Sequence, residues 1–167
     1  MIPVVSIIGH HNAGKTRFLA RLIEALTERG LVVGAAKHAP HLEDLDVPGS
    51  DSHRLREMGA DRVLLMGHSS ASLTWGHTAS KRIEDLVDSL FKGCDLVLVE
   101  GMKAGPFPKI EVYRRNREIR EDPLAGEIDV FAVVCDEPLT LPDGTRQYGT
   151  RDIEAVADLL ETTYVDP

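Results

Sequence analysis

The sequence predicts an α/β fold of three layers, a mostly parallel sheet with helices on both faces and some antiparallel edge strands. Three observations predict it. Apolar runs of strand length recur at 4–8, 31–36, 96–99 and 130–134. Segments with apolar residues spaced by three and four separate them, the mark of amphipathic helices. Their order, strand then helix then strand, implies parallel βαβ units whose helices cover the sheet. At 167 residues the chain reads as one domain, 1–167.

Taken in order, Val4 to Ile8 is a strand ending at Gly9, with Pro3 tolerable at its start. Phe18, Leu19, Leu22, Ile23 and Leu26 mark a helix closed by Gly30. Leu31 to Ala36 reads as a second strand. A polar stretch from Lys37 to Ser52 precedes a short helix over His53–Met58 that stops at Gly59. Arg62–Met66 and Ala71–Trp75 read as two strands joined at Gly67-His68-Ser69. Ile83, Leu86, Val87, Leu90 and Phe91 line one helix face. Leu96 to Val99 is the clearest buried strand, continuous and β-branched. Lys109 to Tyr113 alternates, as a half-exposed strand would, and Arg114–Glu127 reads as a charged loop or edge excursion. Val130–Val134 is another buried strand, and Ile153, Val156, Ala157 and Leu160 outline a terminal helix.

Composition excludes several classes. The 27 acidic residues exceed the 19 basic ones, for a net charge of −8. This argues against a chain that coats nucleic acid or an anionic membrane, since such binding needs a basic footprint. No apolar run approaches the roughly 20 residues that span a bilayer. The N-terminus lacks the pattern of a secretory signal, so a cytoplasmic location is expected. Cys94 and Cys135 are far apart, each beside an apolar run, and are expected to be buried free thiols.

Gly9-His10-His11-Asn12-Ala13-Gly14-Lys15-Thr16 matches G-x-x-x-x-G-K-[ST] in full. The glycines let the backbone curl so that successive N–H groups point inward and form an anion nest at the head of a helix. Lys15 would reach the β- and γ-phosphates, and the Thr16 hydroxyl would hold Mg²⁺. The motif follows an apolar strand and opens an amphipathic helix, as a phosphate loop requires. Gly9, His10, His11, Asn12, Ala13, Gly14, Lys15, Thr16 and Arg17 are therefore the nucleotide-binding candidates. Such a loop is usually accompanied by an acidic residue at the end of a neighbouring buried strand. Glu100, leaving the Leu96–Val99 run just before Gly101, is that candidate.

Lys37-His38-Ala39-Pro40-His41 follows the second strand, with Glu43, Asp44, Asp46, Asp51 and His53 behind it. Ligands of parallel sheets gather beyond the carboxyl ends of the strands, where this segment begins. Two functional readings stay open beside that of a plain solvated loop. Carboxylates such as Asp46 and Asp51 would order a Mg²⁺ shell or a catalytic water, while Lys37, His38 and His41 meet anionic groups. Alternatively His38 and His41 pair on a transition metal, although no cysteine is near to complete the set. His68 and His77 need no functional explanation.

Several motifs together resemble one family, the molybdopterin-guanine dinucleotide biosynthesis adaptor MobB. They are the Gly9–Thr16 loop, Lys37-His38-x-x-His41, the segment from Asp46 through Pro48-Gly49-Ser50-Asp51-Ser52 to Arg54, and Met58-Gly59-Ala60. Asp95 to Lys103, with its Val99-Glu100-Gly101 core, and Pro108 to Val112 complete the set. The resemblance implies a three-layer P-loop NTPase fold and a homodimeric GTP-binding protein. It also implies a partner, the molybdenum cofactor guanylyltransferase that attaches GMP to molybdopterin, and weak intrinsic GTP hydrolysis. By position, Asn12 to Thr16 would cradle phosphates, and Thr16 with Glu100 would serve Mg²⁺. Asp46 and Asp51 fall in the family's acidic loop, with Lys103 beside the same mouth. Lys15, Asp46 and Glu100 are the catalytic candidates, and Asp46 joins Thr16 and Glu100 as a magnesium candidate.

The base is not identified by any [NT]-K-x-D motif. Asp136, leaving the Val130–Val134 strand, could accept from guanine's N1 and N2 donors, or could simply be a turn carboxylate. The adaptor reading therefore competes with an ATP-dependent small-molecule kinase and a GTPase metallochaperone. Arg62–Trp75 and Lys109–Tyr113 offer candidate edges for pairing across a two-fold axis.

Overall fold

The computed structural model describes residues 1–41, 44–75, 83–115 and 121–166. Glu43 and His77 lie outside the described residues. The chain divides into two compact units, Met1–His38 with Val87–Pro167, and Ala39–Leu86.

The larger unit is built on a six-stranded sheet. Its strands are β1 (Val4–Ile8), β2 (Val33–Lys37), β5 (Leu96–Glu100), β6 (Lys109–Val112), β7 (Ala132–Val134) and β8 (Arg146–Tyr148), in the order β2-β5-β1-β6-β7-β8. Every pairing in it is parallel. The two antiparallel strands, β3 (Arg62–Met66) and β4 (Ala71–Trp75), form a separate two-stranded sheet in the smaller unit.

The alternation of strand side chains divides the core into two. On one face Val5, Ile7, Leu96, Leu98, Ile110, Val112, Ala132 and Val134 pack under α1 (Lys15–Glu28) and α4 (Ile153–Leu160). Leu22 and Leu26 of α1 and Val156 and Leu160 of α4 are fully buried there, at the three-four spacing the sequence displays. Arg29 ties the two helices at their exposed side, donating to Glu154, Asp158 and Glu161 at 2.6–2.9 Å. On the other face Ile8, Tyr113, Val133 and Cys135 pack with Leu124 and Ala125 of a 3-10 turn. Farther along that face Phe91, just beyond α3 (Glu84–Leu90), closes on Gly34, where an added Cβ would lie 2.5 Å from its ring.

Two expectations are corrected, and one strand, β8, has no counterpart in the sequence reading. Lys109–Val112 is no half-exposed strand and offers no edge, since β6 lies between β1 and β7 with Ile110, Glu111 and Val112 buried. Its polar member misleads because Glu111, 0% exposed, accepts the backbone N–H groups of Leu124 and Ala125 at 2.8 and 2.9 Å. The carboxylate thus satisfies the opening of the 3-10 turn from below. Strand β8 carries no apolar run; it is an edge strand whose Arg146 and Gln147 are exposed, so hydropathy does not report it. Cys135 is buried, but Cys94 is only partly so, and both thiols are free.

Among the described residues no helix is long and apolar enough to cross a membrane.

Glu111→Ala would leave two buried N–H donors without an acceptor and is expected to cost about 3 kcal/mol in urea unfolding. Glu111→Gln keeps one carbonyl oxygen and should lose less. An alanine variant as stable as the wild type would contradict this role.

Candidate functional site

The parallel register sets three strand ends side by side. Ile7 of β1 and Lys37 of β2 both stand opposite Glu100 of β5. Gly9, His38 and Gly101 therefore leave the sheet at neighbouring points, and His38 N donates to the Glu100 carbonyl at 2.9 Å.

The loop between β1 and α1 is shaped by its small residues. Gly9 has φ +149°, and a Cβ there would lie 2.2 Å from the Val112 carbonyl oxygen, so the approach of the loop to β6 admits only glycine. Asn12 and Gly14 take left-handed backbone angles of φ 60° and 95°. Gly14 caps α1 and accepts from Phe18 N at 3.0 Å. The helix carries no acidic residue in its first turn, so its free N–H groups and positive dipole end are left for an anion.

Lys15 folds back over this loop, its Nζ donating to the carbonyls of His10 at 2.6 Å and Gly9 at 3.2 Å. Burial pulls its ammonium below the usual lysine range. The Glu100 carboxylate opposes that shift, and Lys103 and Lys37 add to it. Thr16 Oγ1 donates to Glu100 Oε2 at 2.8 Å, and Lys37 Nζ lies 3.1 Å from Glu100 Oε1. One nearly buried carboxylate thus gathers the threonine of the loop and a lysine from the next strand. Lys103 is exposed just past Gly101, while His11, Arg17 and His38 are exposed around the rim.

A magnesium ion asks for hard oxygen donors and keeps several waters. The Thr16 hydroxyl and Glu100 carboxylate, 2.8 Å apart beside an anion-ready helix end, fit that requirement. Among the described residues no three His, Cys, Asp or Glu side chains are grouped to hold a metal by themselves.

His10 does something the sequence did not suggest. Its Nε2 lies 2.9 Å from the Asp122 carbonyl oxygen and its Nδ1 3.0 Å from Glu121 Oε2. Tyr113 Oη donates to the Glu121 carbonyl at 3.0 Å, and Glu111 holds the next residues, so the 121–125 segment is strapped to the phosphate loop and to β6. The only sequence signal was a charged, proline-marked stretch.

Asp136 lies beyond the carboxyl end of β7, on the same side of the sheet as the loop. Its carboxylate accepts from Thr150 N at 2.7 Å and from Thr150 Oγ1 at 2.8 and 2.9 Å. Those bonds, the backbone one first, hold it below the usual carboxylate range.

The remaining candidates belong to the smaller unit. Asp46 Oδ1 accepts from Ser52 Oγ at 2.9 Å and from Val47 N at 3.1 Å, with Arg56 Nε 3.5 Å from Oδ2. Ser50 caps α2 (Asp51–Glu57) by accepting from His53 N, and Arg56 grips both oxygens of Asp44 at 2.7 and 2.8 Å. Asp46 therefore organises its own loop. Asp51 is exposed in the first turn of α2, and His41 is exposed.

The family description "MobB: Molybdopterin guanine dinucleotide synthesis protein B" matches residues 4–136. The chain belongs to the MobB family. It is 32% identical to the molybdopterin-guanine dinucleotide biosynthesis adapter protein of Escherichia coli, covering 96% of this chain and 92% of that one. The Haemophilus influenzae adapter protein is 34% identical over 96% of this chain and 88% of its own. A crystal structure of molybdopterin-guanine biosynthesis protein B superposes with a TM-score of 0.72 at 25% identity, covering 95% and 97% of the two chains. The Bacillus subtilis MobB structure, 24% identical with a TM-score of 0.73 and coverage of 96% and 97%, shares the fold. The P-loop NTPase fold of MobB is thus the fold of this chain, the fold of a nucleotide-binding protein.

Proposed function

We propose that this MobB-family chain is a GTP-binding adaptor. It would hold GTP with Mg²⁺ and present it to the guanylyltransferase that joins GMP to molybdopterin, hydrolysing it only slowly. The observation that carries the reading is the Gly9–Thr16 loop, with Thr16 Oγ1 2.8 Å from Glu100, in a chain similar over its length to adapter proteins of that pathway. In this reading the amides from Asn12 to Thr16 face the phosphates, and Lys15 exchanges its loop carbonyls for β- and γ-phosphate oxygens. Thr16 and Glu100 would supply the magnesium's protein oxygens, and the ion when bound would screen the phosphate charge. Lys103 and His38 would face further anionic groups at the mouth. Asp136, fixed by Thr150, would meet the base and favour guanine through its N1 and N2 donors. We assign Asp46 to its own loop, so the magnesium proposal rests on Thr16 and Glu100 alone.

Titration calorimetry of GTP and ATP, with Mg²⁺, into the wild type and Lys15→Ala tests this. Strong GTP binding that falls at least about tenfold in the variant, with little ATP binding, is expected, since the lysine makes a charge-assisted contact. Preference for ATP would favour a kinase over an adaptor, and equal binding by the variant would remove the loop from the site.

We also propose a homodimer that uses the β3–β4 sheet, whose Leu64, Leu65, Met66 and Leu73 are exposed. A two-stranded sheet is at best marginally stable alone and presents two open edges. Light scattering should give about twice 18.3 kDa at micromolar concentration; the mass of one chain would contradict pairing.

A further inference from the structure

Glu100 divides one negative charge between two partners. Its Oε2 accepts from Thr16, and its Oε1 faces Lys37 Nζ at 3.1 Å. This pair is no chance meeting of surface side chains, because Lys37 and Glu100 are register partners on adjacent strands, closed by the His38 N–H to Glu100 carbonyl bond. The two members differ in freedom. The carboxylate is 11% exposed, whereas Lys37 is 61% exposed on a long flexible stem.

Two opposing demands fall on that carboxylate. A divalent cation beside Thr16 draws on its charge, and a second cation there would be repelled. With no cation present, a nearly buried negative charge next to the phosphate loop would repel the very polyanion the loop accepts. Lys15 feels the same carboxylate, but its Nζ sits on the loop carbonyls of Gly9 and His10 and turns to phosphate in the reading above, so the cation paired directly with Glu100 is Lys37.

Building on the nucleotide reading above, we propose that Lys37 is a stand-in cation: it neutralises Glu100 while the metal is absent and swings away when Mg²⁺ arrives. Lys37 thereby lets nucleotide bind before the metal, and it lowers the dependence of nucleotide affinity on Mg²⁺. It is a positioning residue that acts through Glu100.

The test is GTP titration into wild type and Lys37→Gln, each in EDTA and in saturating Mg²⁺. The variant should lose about tenfold in metal-free affinity, the effect of one unscreened charge at partly exposed range, and less than about twofold with Mg²⁺. In a Glu100→Gln background the same substitution should no longer alter the Mg²⁺ dependence. Equal losses with and without metal would make Lys37 an ordinary phosphate contact and overturn the proposal, and no loss in either would do the same. A wild type that binds GTP in neither condition would instead defeat the nucleotide reading, and this inference with it.

Discussion

Register between parallel strands is the constraint on which the site depends. Ile7, Glu100 and Lys37 stand opposite one another in β1, β5 and β2, so three chains leave the sheet together. A slip of one residue in β5 would turn Glu100 to the other face of the sheet and away from Thr16. The register is itself held by the core, because Val5, Ile7, Leu96 and Leu98 must face α1 to be buried. Packing far from the mouth therefore decides which side chains meet at it.

The same economy governs charge. The chain carries −8 overall, yet Lys15, Lys37 and Lys103 converge near one carboxylate, close enough for the two outer lysines to lower the affinity of Lys15 for its proton. An acidic protein thus keeps a local cationic mouth, suited to a phosphorylated small molecule and unsuited to a long polyanion. Elsewhere positive charge is consumed within the structure, as Arg29 is by three carboxylates of α4 and its extension, and Arg56 by Asp44. The phosphate loop is also braced from the side. His10 engages Glu121 and Asp122, while the buried Glu111 fastens the turn that follows them.

Much of this was readable in the sequence, for physical reasons that differ by element. The strands β1 and β5 are buried on both faces, so their composition alone announces them. The phosphate loop has a fixed spacing because backbone amides must converge on one anion. Glu100 was visible because a phosphate loop calls for an acidic residue at the end of a neighbouring buried strand. What escaped notice depends on partners distant in the chain. Glu111 looks like the polar half of an exposed strand until Leu124 and Ala125 supply its hydrogen bonds. Strand β8 is polar because it lies at an edge, and His10 is one histidine among seven until its neighbours at 121 and 122 are known. Asp46, named from the sequence for its residue type, gains near neighbours in the chain as partners, Ser50, Ser52 and Arg56.

The central claim is that Thr16 and Glu100 act as one magnesium-linked unit under the phosphate loop. The direct measurement is the factor by which Mg²⁺ strengthens GTP binding in the wild type, Thr16→Ala, Glu100→Gln and the double variant. The account predicts that either single change removes most of that factor and that the double variant is no worse than the singles. A Mg²⁺ effect that survives Glu100→Gln, or losses that simply add, would contradict it.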